Sequence, residues 1–272
     1  MNGQPLVTCI TVNYRTPHLV RHLLKRVEEA HFSFPFEYWL VDNASGDGCL
    51  EQVRRDHPWV KTLSVTENCG FGAGNNLAIR QAKGKYILLF NPDLVVLPGE
   101  TDKLVAWMEA HPEVGICGPR LVNPDQTLQV SRFTFHDLYT PLVRRTFLGK
   151  TRWGKKKLAQ YFLAEAAGDQ PQEVDWILGA AMLIRRELLD GIGQFDERFF
   201  MYFEEEDLCR RAWQTGSKVV YAPVATFMHY YGRDSQTRYS LEFFTNRMAR
   251  VHVMSGLKYL WKYRGQKNPR SR

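Results

Sequence analysis

The chain has 272 residues, of which 36 are Lys or Arg and 29 are Asp or Glu, so its formal net charge at pH 7 is +7. Its 44% hydrophobic and 24% charged residues are typical of a globular protein and exclude an intrinsically disordered chain. No apolar run approaches the roughly 20 residues that a membrane-spanning helix needs. The first predicted strand starts too close to the N-terminus to leave room for a signal peptide, so we expect a cytoplasmic protein.

Short apolar strands alternate with amphipathic helices in the first half of the chain. The Thr16 hydroxyl is expected to cap the first helix, with Pro17 at its first position. We predict strands over residues 6–12, 38–41, 60–65, 86–90 and 114–119, and helices over residues 17–27, 50–56, 77–82 and 101–110. This order predicts an α/β fold, with a mostly parallel sheet and helices on both faces.

The second half of the chain is less regular. Residues 141–172 are basic and then rich in Ala and Gly, which predicts a mobile segment. Further along we predict a strand over residues 176–184, a helix over 203–215, short strands over 218–222 and 226–229, and a helix over 241–263.

The positive charge lies almost entirely in this second half. Residues 1–140 hold 13 basic and 15 acidic side chains, whereas residues 141–272 hold 23 and 14. Residues 144–157 carry seven basic side chains and residues 247–272 carry eight, and neither stretch contains an acid. A basic balance alone does not distinguish nucleic acid, a membrane surface or an anionic substrate as the partner.

Polar clusters follow the predicted strands at residues 13–14, 42–43, 68–76 and 91–93. Ligands of an open parallel sheet bind beyond the carboxyl ends of its strands, so these clusters predict a shared cleft. The cluster at 68–76 is rich in glycine, which allows a phosphate or a sugar to approach the backbone. Its spacing is not the dinucleotide fingerprint and no P-loop is present, which disfavours a Rossmann dehydrogenase and a P-loop ATPase.

Asp93 and His229 are candidate metal ligands. Asp93 follows a buried strand and a proline, where its carboxylate suits Mg²⁺ or Mn²⁺ on a diphosphate. A solvated turn aspartate is the alternative. His229 closes a predicted strand, where it is either a structural histidine or, beside a divalent metal, an imidazole ligand.

A run of four acids at residues 204–207 follows an aromatic block at residues 199–203. Crowded carboxylates in a poorly solvated place have raised pKa values, which suits a general base. The alternative is a helix first turn, where the macrodipole favours acids.

Taken together, these motifs resemble glycosyltransferase family 2 and, within it, the rhamnosyltransferase-like branch. The resemblance spans about residues 6–235, with the motifs in the family's order and spacing. The matching segments are Val-Asn-Tyr at 12–14, Val-Asp-Asn-Ala-Ser at 41–45, Asn-Cys-Gly-Phe-Gly-Ala-Gly-Asn-Asn at 68–76, Asn-Pro-Asp at 91–93, Trp-Ile-Leu-Gly-Ala at 176–180, and Phe-Asp-Glu-Arg-Phe-Phe-Met-Tyr-Phe-Glu-Glu-Glu-Asp-Leu-Cys at 195–209.

The resemblance implies a GT-A fold, a single Rossmann-like domain over residues 1–235 with a donor half at 1–120 and an acceptor half at 121–235. Residues 236–272 would form a basic amphipathic helix and tail. The implied reaction is an inverting transfer of rhamnose or a similar sugar from a nucleoside diphosphate donor, with Mg²⁺ or Mn²⁺. The implied acceptor is a polysaccharide or a lipid-linked glycan.

The resemblance also implies a set of donor-site residues. They are Val12, Tyr14, Asp42, Asn68, Gly72, Asn75, Asn91, Asp93, Gly179 and Ala180. Within this set Tyr14 and Asp42 would hold the nucleoside, and Gly179 and Ala180 would border the sugar. Asp93, with His229, would form the metal or diphosphate site.

The catalytic base implied by the resemblance is Glu205, with Glu204 and Asp207 as neighbours that could substitute. Three positions depart from the family pattern. Glu205 stands where the family usually has an aspartate, Asn91 replaces the first acid of its D-x-D motif, and Arg15 stands where many members have Asn, so that its charge could contact the donor phosphates.

Two other functions stay open. A nucleotidyltransferase would need a Gly-rich basic loop after the first strand, and residues 13–17 lack glycine. A non-enzymatic protein would use the basic second half to bind nucleic acid or a membrane. Residues 241–263, including Phe243 and Phe244, fit an interfacial amphipathic helix as well as a helix packed on the domain. We expect an anionic membrane, at the inner face of the plasma membrane, or a phosphate-bearing acceptor rather than nucleic acid, and a homodimer stays open.

Overall fold

Strands and helices alternate through the first half of the chain, as expected. The computed structural model describes residues 3–164, 168–230 and 246–270. The elements of the first half are β1 (Val7–Asn13), α1 (Pro17–Ala30), β2 (Phe36–Asp42), α2 (Cys49–Asp56), β3 (Val60–Ser64), α3 (Phe71–Ile79), β4 (Tyr86–Phe90), β5 (Leu94–Val95), α4 (Glu100–Ala110) and β6 (Val114–Val122).

The second half holds shorter strands and the helices that complete the site. Its elements are β7 (Leu128–Gln129), β8 (Arg132–Phe133), α5 (Thr140–Arg145), a 3₁₀ turn (Phe147–Lys150), α6 (Arg152–Tyr161), β9 (Gln172–Glu173), β10 (Trp176–Ile177), β11 (Ala181–Arg185), α7 (Arg186–Ile192), α8 (Glu204–Gln214), β12 (Lys218–His229) and α9 (Arg247–Lys262).

One large sheet runs through the molecule in the order β3-β2-β1-β4-β11-β6-β12-β5. The strands β3, β2, β1 and β4 pair in parallel, and so do β6 and β12. β11 lies antiparallel between β4 and β6, with Ala181 opposite Phe90. This pairing brings the start of β11 to the carboxyl end of β4, where the predicted cleft lies. The predicted α/β fold is confirmed.

The core has two layers because side chains alternate across each strand. Val7 and Cys9 of β1 face a layer built with α1, α2 and α4. Ile10 of the same strand faces a second layer, which contains residues of α3, α7 and α8. Burial of both faces explains why the strands read as continuous apolar runs.

The basic segment predicted to be mobile contains α5, the 3₁₀ turn and α6, and residues 165–167 lie outside the described part. Pro141 stands at the start of α5, and the Thr151 hydroxyl caps α6 by accepting from the Gly154 N–H at 3.0 Å. The Arg144 guanidinium lies 5.2 Å from the centre of the Tyr161 ring. Pro141 and Thr151 are therefore helix-start residues that the interpretation of this segment as basic and mobile did not consider.

Two expectations need correction. Thr16 stands at the N-cap of α1, but its hydroxyl donates to Asn13 Oδ1 at 2.8 Å instead of accepting a backbone N–H. The two short strands expected at 218–222 and 226–229 are one strand, β12, with an irregularity between Tyr221 and Thr226. The tail helix is α9, while the expected part at residues 241–245, including Phe243 and Phe244, lies outside the described residues.

Within the described part of the chain, no helix is both long enough and apolar enough to cross a bilayer.

Candidate active site

The ends of β1 and β2 form a braced polar corner. Asn13 Nδ2 donates to Asp42 Oδ1 at 2.9 Å and to Ser45 Oγ at 3.1 Å. The second carboxylate oxygen of Asp42 accepts the Ser45 N–H at 3.1 Å. Beside this corner the Tyr14 side chain is 39% exposed, and the Arg15 guanidinium lies 5.1 Å from its ring centre. The corner offers an aromatic face and a fixed carboxylate at the mouth of the cleft.

The glycine-rich loop is tied to this corner by Asn43, which the sequence analysis did not select. The Asn43 side-chain NH₂ donates to Asn68 Oδ1 and to the Gly70 carbonyl, both at 3.0 Å, and its Oδ1 accepts the Cys69 N–H at 2.9 Å. Asn68 Oδ1 also accepts the Gly70 N–H at 2.9 Å. The loop is therefore held in one conformation by side-chain amides.

Gly70 permits the closest approach in this region. Its φ of 91° and ψ of 179° belong to a region of backbone space that is essentially restricted to glycine. A Cβ at this position would overlap the Phe200 carbonyl oxygen, which accepts the Phe71 N–H at 3.0 Å. Gly70 thus lets the glycine-rich loop pack directly on the aromatic loop that precedes α8.

Asn75 and Asn76 lie in the middle of α3 and face different partners. The Asn75 amide is buried and donates to the Phe71 carbonyl at 2.9 Å, so it braces α3 rather than facing the cleft. Asn76 donates to the Phe195 carbonyl at 2.9 Å and accepts the Phe195 N–H at 3.0 Å. Asn76, which the sequence analysis left without a role of its own, therefore fixes the start of the aromatic loop to α3.

The first two acids of α8 lie at the meeting point of α3 and the loop before β11. A Cβ at Gly72 would lie 3.5 Å from the Glu204 Cβ, and Val12 packs beside the neighbouring Gly74. A Cβ at Gly179 would lie 3.7 Å from Glu205 Oε1, and the Gly179 N–H donates to the Glu205 carboxylate. The glycines predicted at the donor site thus surround the predicted base.

The four acids differ sharply in their partners, because each step along a helix turns the side chain by about 100°. Glu206 is buried against His136, whose backbone N–H donates to Glu206 Oε1 at 2.7 Å. Asp207 is fully buried and binds Arg211 Nε at 2.8 Å, the Lys262 ammonium and the Tyr263 hydroxyl. These contacts remove Asp207 from the candidate bases.

Glu204 and Glu205 keep unused acceptor capacity. Within the described part of the chain, Oε2 of each lies buried without a hydrogen-bond partner. Burial raises the pKa of Glu205 to about 7, and the charge of Glu206 adds to this effect. Burial and then the charge of Glu205 raise the pKa of Glu204 still further above its ordinary value. Glu205 is therefore a carboxylate that ionises near neutral pH.

The loop before α8 is strained and is held by α9. Tyr202 and Phe203 have φ values of 70° and 73°, in the left-handed region that side chains rarely adopt. Two such residues in succession cost about 1–2 kcal/mol each unless neighbours impose the conformation. The Phe203 ring packs 5.4 Å from the Tyr259 ring, and Ser255 Oγ of α9 donates to the Met201 carbonyl at 2.9 Å.

The two predicted metal ligands meet at the ends of β12 and β4. His229 Nε2 lies 3.2 Å from Asp93 Oδ1. His229 Nδ1 lies 2.7 Å from Gln129 Oε1, and Gln129 Nε2 donates to Asn123 Oδ1 at 2.9 Å. Gln129 therefore presents its oxygen to Nδ1, which makes Nδ1 a donor and turns Nε2 toward the carboxylate.

This pair fits a divalent cation. A histidine nitrogen and a carboxylate oxygen are both ligands of divalent cations, and these two atoms are close enough to share one ion. Asn91, in place of an acid, donates its backbone N–H to the Ala180 carbonyl at 2.9 Å. In the described ranges no group of three or more His, Cys, Asp or Glu side chains that could hold a metal is present. The protein thus offers two ligands, and the remaining positions are left to a substrate and water.

Comparison with known proteins indicates the same family as the sequence motifs do. The family model described as glycosyl transferase family 2 matches residues 8–193. The N-acetylglucosaminyl-diphospho-decaprenol L-rhamnosyltransferase of Mycobacterium tuberculosis is 29% identical over 227 residues, covering 79% of this chain and 72% of that protein. Rhamnosyltransferase WbbL of Escherichia coli K12 is 27% identical over 200 residues, covering 70% of each.

Solved structures share the fold. The mannosyltransferase PcManGT of Pyrobaculum calidifontis, solved with GDP-Man and Mn²⁺, has a TM-score of 0.63 at 19% identity and covers 98% of this chain and 67% of its own. The TarS fragment 1–349 of S. aureus has a TM-score of 0.55 at 17% identity and covers 93% of this chain and 65% of its own. These likenesses confirm the GT-A fold.

Proposed function

This chain belongs to glycosyl transferase family 2 and is a glycosyltransferase, and we propose that it moves rhamnose or a similar sugar from a nucleoside diphosphate to a lipid-linked glycan with inversion. The observation that carries the mechanism is Glu205, whose carboxylate is held by Gly179 and keeps one oxygen without a partner within the described part of the chain. Family membership argues against the alternative of a non-enzymatic binding protein. The lipid-linked acceptor is supported by the similarity to the mycobacterial rhamnosyltransferase.

In the proposed reaction Glu205 takes the proton of the acceptor hydroxyl while that oxygen attacks the anomeric carbon. The bond from the anomeric carbon to the diphosphate oxygen breaks on the opposite face, and its electrons leave with the nucleoside diphosphate. A pKa of about 7 leaves about half of Glu205 ionised at neutral pH and makes it basic enough to accept the proton.

The donor would lie along the chain of contacts that joins the strand ends. Tyr14 and Asp42 would hold the nucleoside, Asn68 and Gly72 would line the path of the diphosphate, and Gly179 with Ala180 would border the sugar. This assignment is supported by the contacts from Asn43 to Gly70 and from Gly179 to Glu205. Val12 and Asn75 support this wall from within the fold, and the Asn91 amide borders it.

Asp93 and His229 would hold Mg²⁺ or Mn²⁺ against the donor diphosphate. When bound, the cation neutralises the charge that develops on the departing diphosphate. The chain's own task at this position is to orient the two ligands. The backbone carbonyl of Asp93 accepts the Tyr230 N–H at 2.9 Å, and Gln129 fixes the imidazole.

The test is transfer from dTDP-rhamnose to polyprenyl-diphosphate-linked N-acetylglucosamine with Mn²⁺, with UDP- and GDP-sugars in parallel. We expect release of nucleoside diphosphate and a product whose anomeric configuration, measured by NMR, is opposite to that of the donor. Glu205→Gln should lose transfer and retain donor binding by calorimetry. Glu187→Gln, on the exposed face of α7, is the matched control.

Retained configuration would contradict the inverting mechanism, and full activity of Glu205→Gln would move the base to another residue. Diphosphate as the released product would instead favour the nucleotidyltransferase alternative.

A further inference from the structure

The two acid-free basic stretches both expose large apolar side chains. In the segment that contains α5 and α6, Phe147 is 76% exposed and Trp153 is exposed, and just before this segment Leu138 is 69% exposed beside the exposed Tyr139. In α9, Trp261 is 66% exposed, together with Met254 and Leu257. Side chains of this size are costly to leave in water, and clusters of them mark interaction surfaces.

The α9 helix has two distinct faces. Its inner face buries Ser255 and Tyr259 against the loop before α8. Its outer face carries Met254, Leu257 and Trp261, spaced three and four residues apart, so these side chains form one stripe along the helix. The helix is therefore packed on the domain and still presents an apolar stripe.

The two exposed patches border one cavity. A cavity of about 920 Å³ is lined by Leu138 on one side and by Leu260 and Arg264 on the other. The Tyr139 ring lies 6.4 Å from the Trp153 ring, and the Arg264 guanidinium lies 4.4 Å from the Trp261 ring centre. Tyr139 follows the lining residue Leu138, and Trp261 contacts the lining residue Arg264, so each patch reaches the rim of the same cavity. We call the combined surface of Leu138, Tyr139, Phe147, Trp153, Met254, Leu257 and Trp261 the apolar–basic face.

The net charge around this face is positive. The two acids that line the cavity are both paired, Asp137 with Lys157 at 2.6 Å and Asp175 with Arg270 at 3.0 Å. The lysines at positions 155 and 156 of α6 are exposed and add positive charge at its edge. Apolar and aromatic side chains beside unbalanced cations are complementary to an anionic lipid surface.

We propose that the apolar–basic face docks this enzyme onto a bilayer that contains anionic phospholipid, with α9 and the α5–α6 segment contacting the lipid together. The aromatic and aliphatic side chains enter the interface, and the lysines and arginines contact the phosphates. Because the inner face of the same helix holds the loop before Glu205, docking brings that loop close to the membrane, with α9 between them. The proposal stands on the surface itself and does not depend on which acceptor is used.

The test is co-sedimentation of the full chain with vesicles of phosphatidylcholine alone or with about one third phosphatidylglycerol. We expect binding to the anionic vesicles at least about tenfold stronger than to the neutral ones. Leu257→Ala with Trp261→Ala, and separately Phe147→Ala with Trp153→Ala, should each weaken that binding about tenfold or more. Lys155→Glu with Lys156→Glu should weaken it to a similar extent.

The matched control is Leu97→Ala with Leu128→Ala, which removes two exposed leucines outside the apolar–basic face. It should bind like the unchanged chain. Far-UV circular dichroism and Mn²⁺-dependent donor binding identify any variant that fails to fold.

Three results would overturn the proposal. The first is equal binding to neutral and anionic vesicles. The second is loss of binding in only one of the two double alanine variants. The third is a dimer in sedimentation velocity that Trp261→Ala dissociates while vesicle binding is absent, since the face would then join two copies of the chain. Failure of sugar transfer would leave vesicle binding intact, so the two proposals fail separately.

Discussion

Glu205 owes its role to its neighbours. Of the four consecutive acids in α8, Glu206 is hydrogen-bonded to His136. Asp207 forms ion pairs with Arg211 and Lys262 and accepts a hydrogen bond from Tyr263. The sequence predicts that this run carries the base, because a family motif and crowded carboxylates coincide there. It does not reveal which acid remains available, since His136 and Tyr263 lie 70 and 56 residues away from their partners.

The raised pKa of Glu205 predicts a pH dependence. A base acts in its ionised form, so kcat/KM should fall about tenfold per pH unit below a midpoint of about 7 and stay level above it. The measurement is initial nucleoside diphosphate release between pH 5 and 9 at low donor concentration. Glu187→Gln should keep the same midpoint. A flat profile from pH 5 to 7 would show that the base titrates at an ordinary carboxylate pKa.

Gln129 is predicted to tune the metal site through His229. Gln129→Leu removes the oxygen that fixes the imidazole, and loss of such a partner weakens metal affinity by about 10–100-fold. Mn²⁺ binding in the presence of dTDP, followed by electron paramagnetic resonance, measures this directly. Gln129→Glu keeps an acceptor oxygen and should retain most of the affinity. Gln81→Leu, at an exposed position after α3, serves as the control, and an unchanged affinity in Gln129→Leu would rule out this role.

At the scale of elements, the site is formed where three segments that are distant in the sequence meet. The loop into α3, the loop into β11 and the loop into α8 meet at Gly70, Gly179 and Glu205. Strand and helix order in the first half was predictable because apolar runs and turn residues alternate regularly. The antiparallel insertion of β11 was not, because its run Ala181–Arg185 reads like any buried strand and direction leaves no mark on composition.

Gly70 provides a sharp test of this convergence. Gly70→Ala combines a backbone conformation that only glycine adopts readily with a collision against the Phe200 carbonyl, so we expect a loss of more than about 3 kcal/mol in the free energy of unfolding. Gly46 also has a positive φ, of 64°, but open space around it, and Gly46→Ala should cost only about 1 kcal/mol.

Urea denaturation of both variants measures the difference. Equal losses would mean that the packing of the donor loop on the aromatic loop contributes nothing beyond backbone strain at Gly70.

For the whole molecule, the net charge of +7 describes neither half. The donor half is nearly neutral, and its expected contact with a diphosphate runs through a cation held by Asp93 and His229. The positive excess lies in the α5–α6 segment and α9, at the apolar–basic face. The sequence predicted this division, but the joining of the two basic stretches around one cavity required the fold.

This division predicts two different responses to salt. Raising NaCl from 0.1 to 1 M shortens the screening length from about 10 to about 3 Å, which weakens exposed charge contacts far more than enclosed ones. Binding to anionic vesicles should therefore fall at least about tenfold, while nucleoside diphosphate release from the donor in the absence of vesicles should change less than about twofold. A parallel loss of both would indicate that the donor also depends on exposed cations.

The packing of α9 on Tyr202 and Phe203 has a consequence for biosynthesis. A ribosome releases the chain from its N-terminus onward, so β1 to β4 and the glycine-rich loop can assemble before α9 has been translated. Until α9 emerges, the loop that contains these two left-handed residues lacks its contacts with Ser255 and Tyr259, while the ring of His136 can already pack on Phe203. We expect a nascent chain without α9 to hold the loop before Glu205 less firmly than the full chain does.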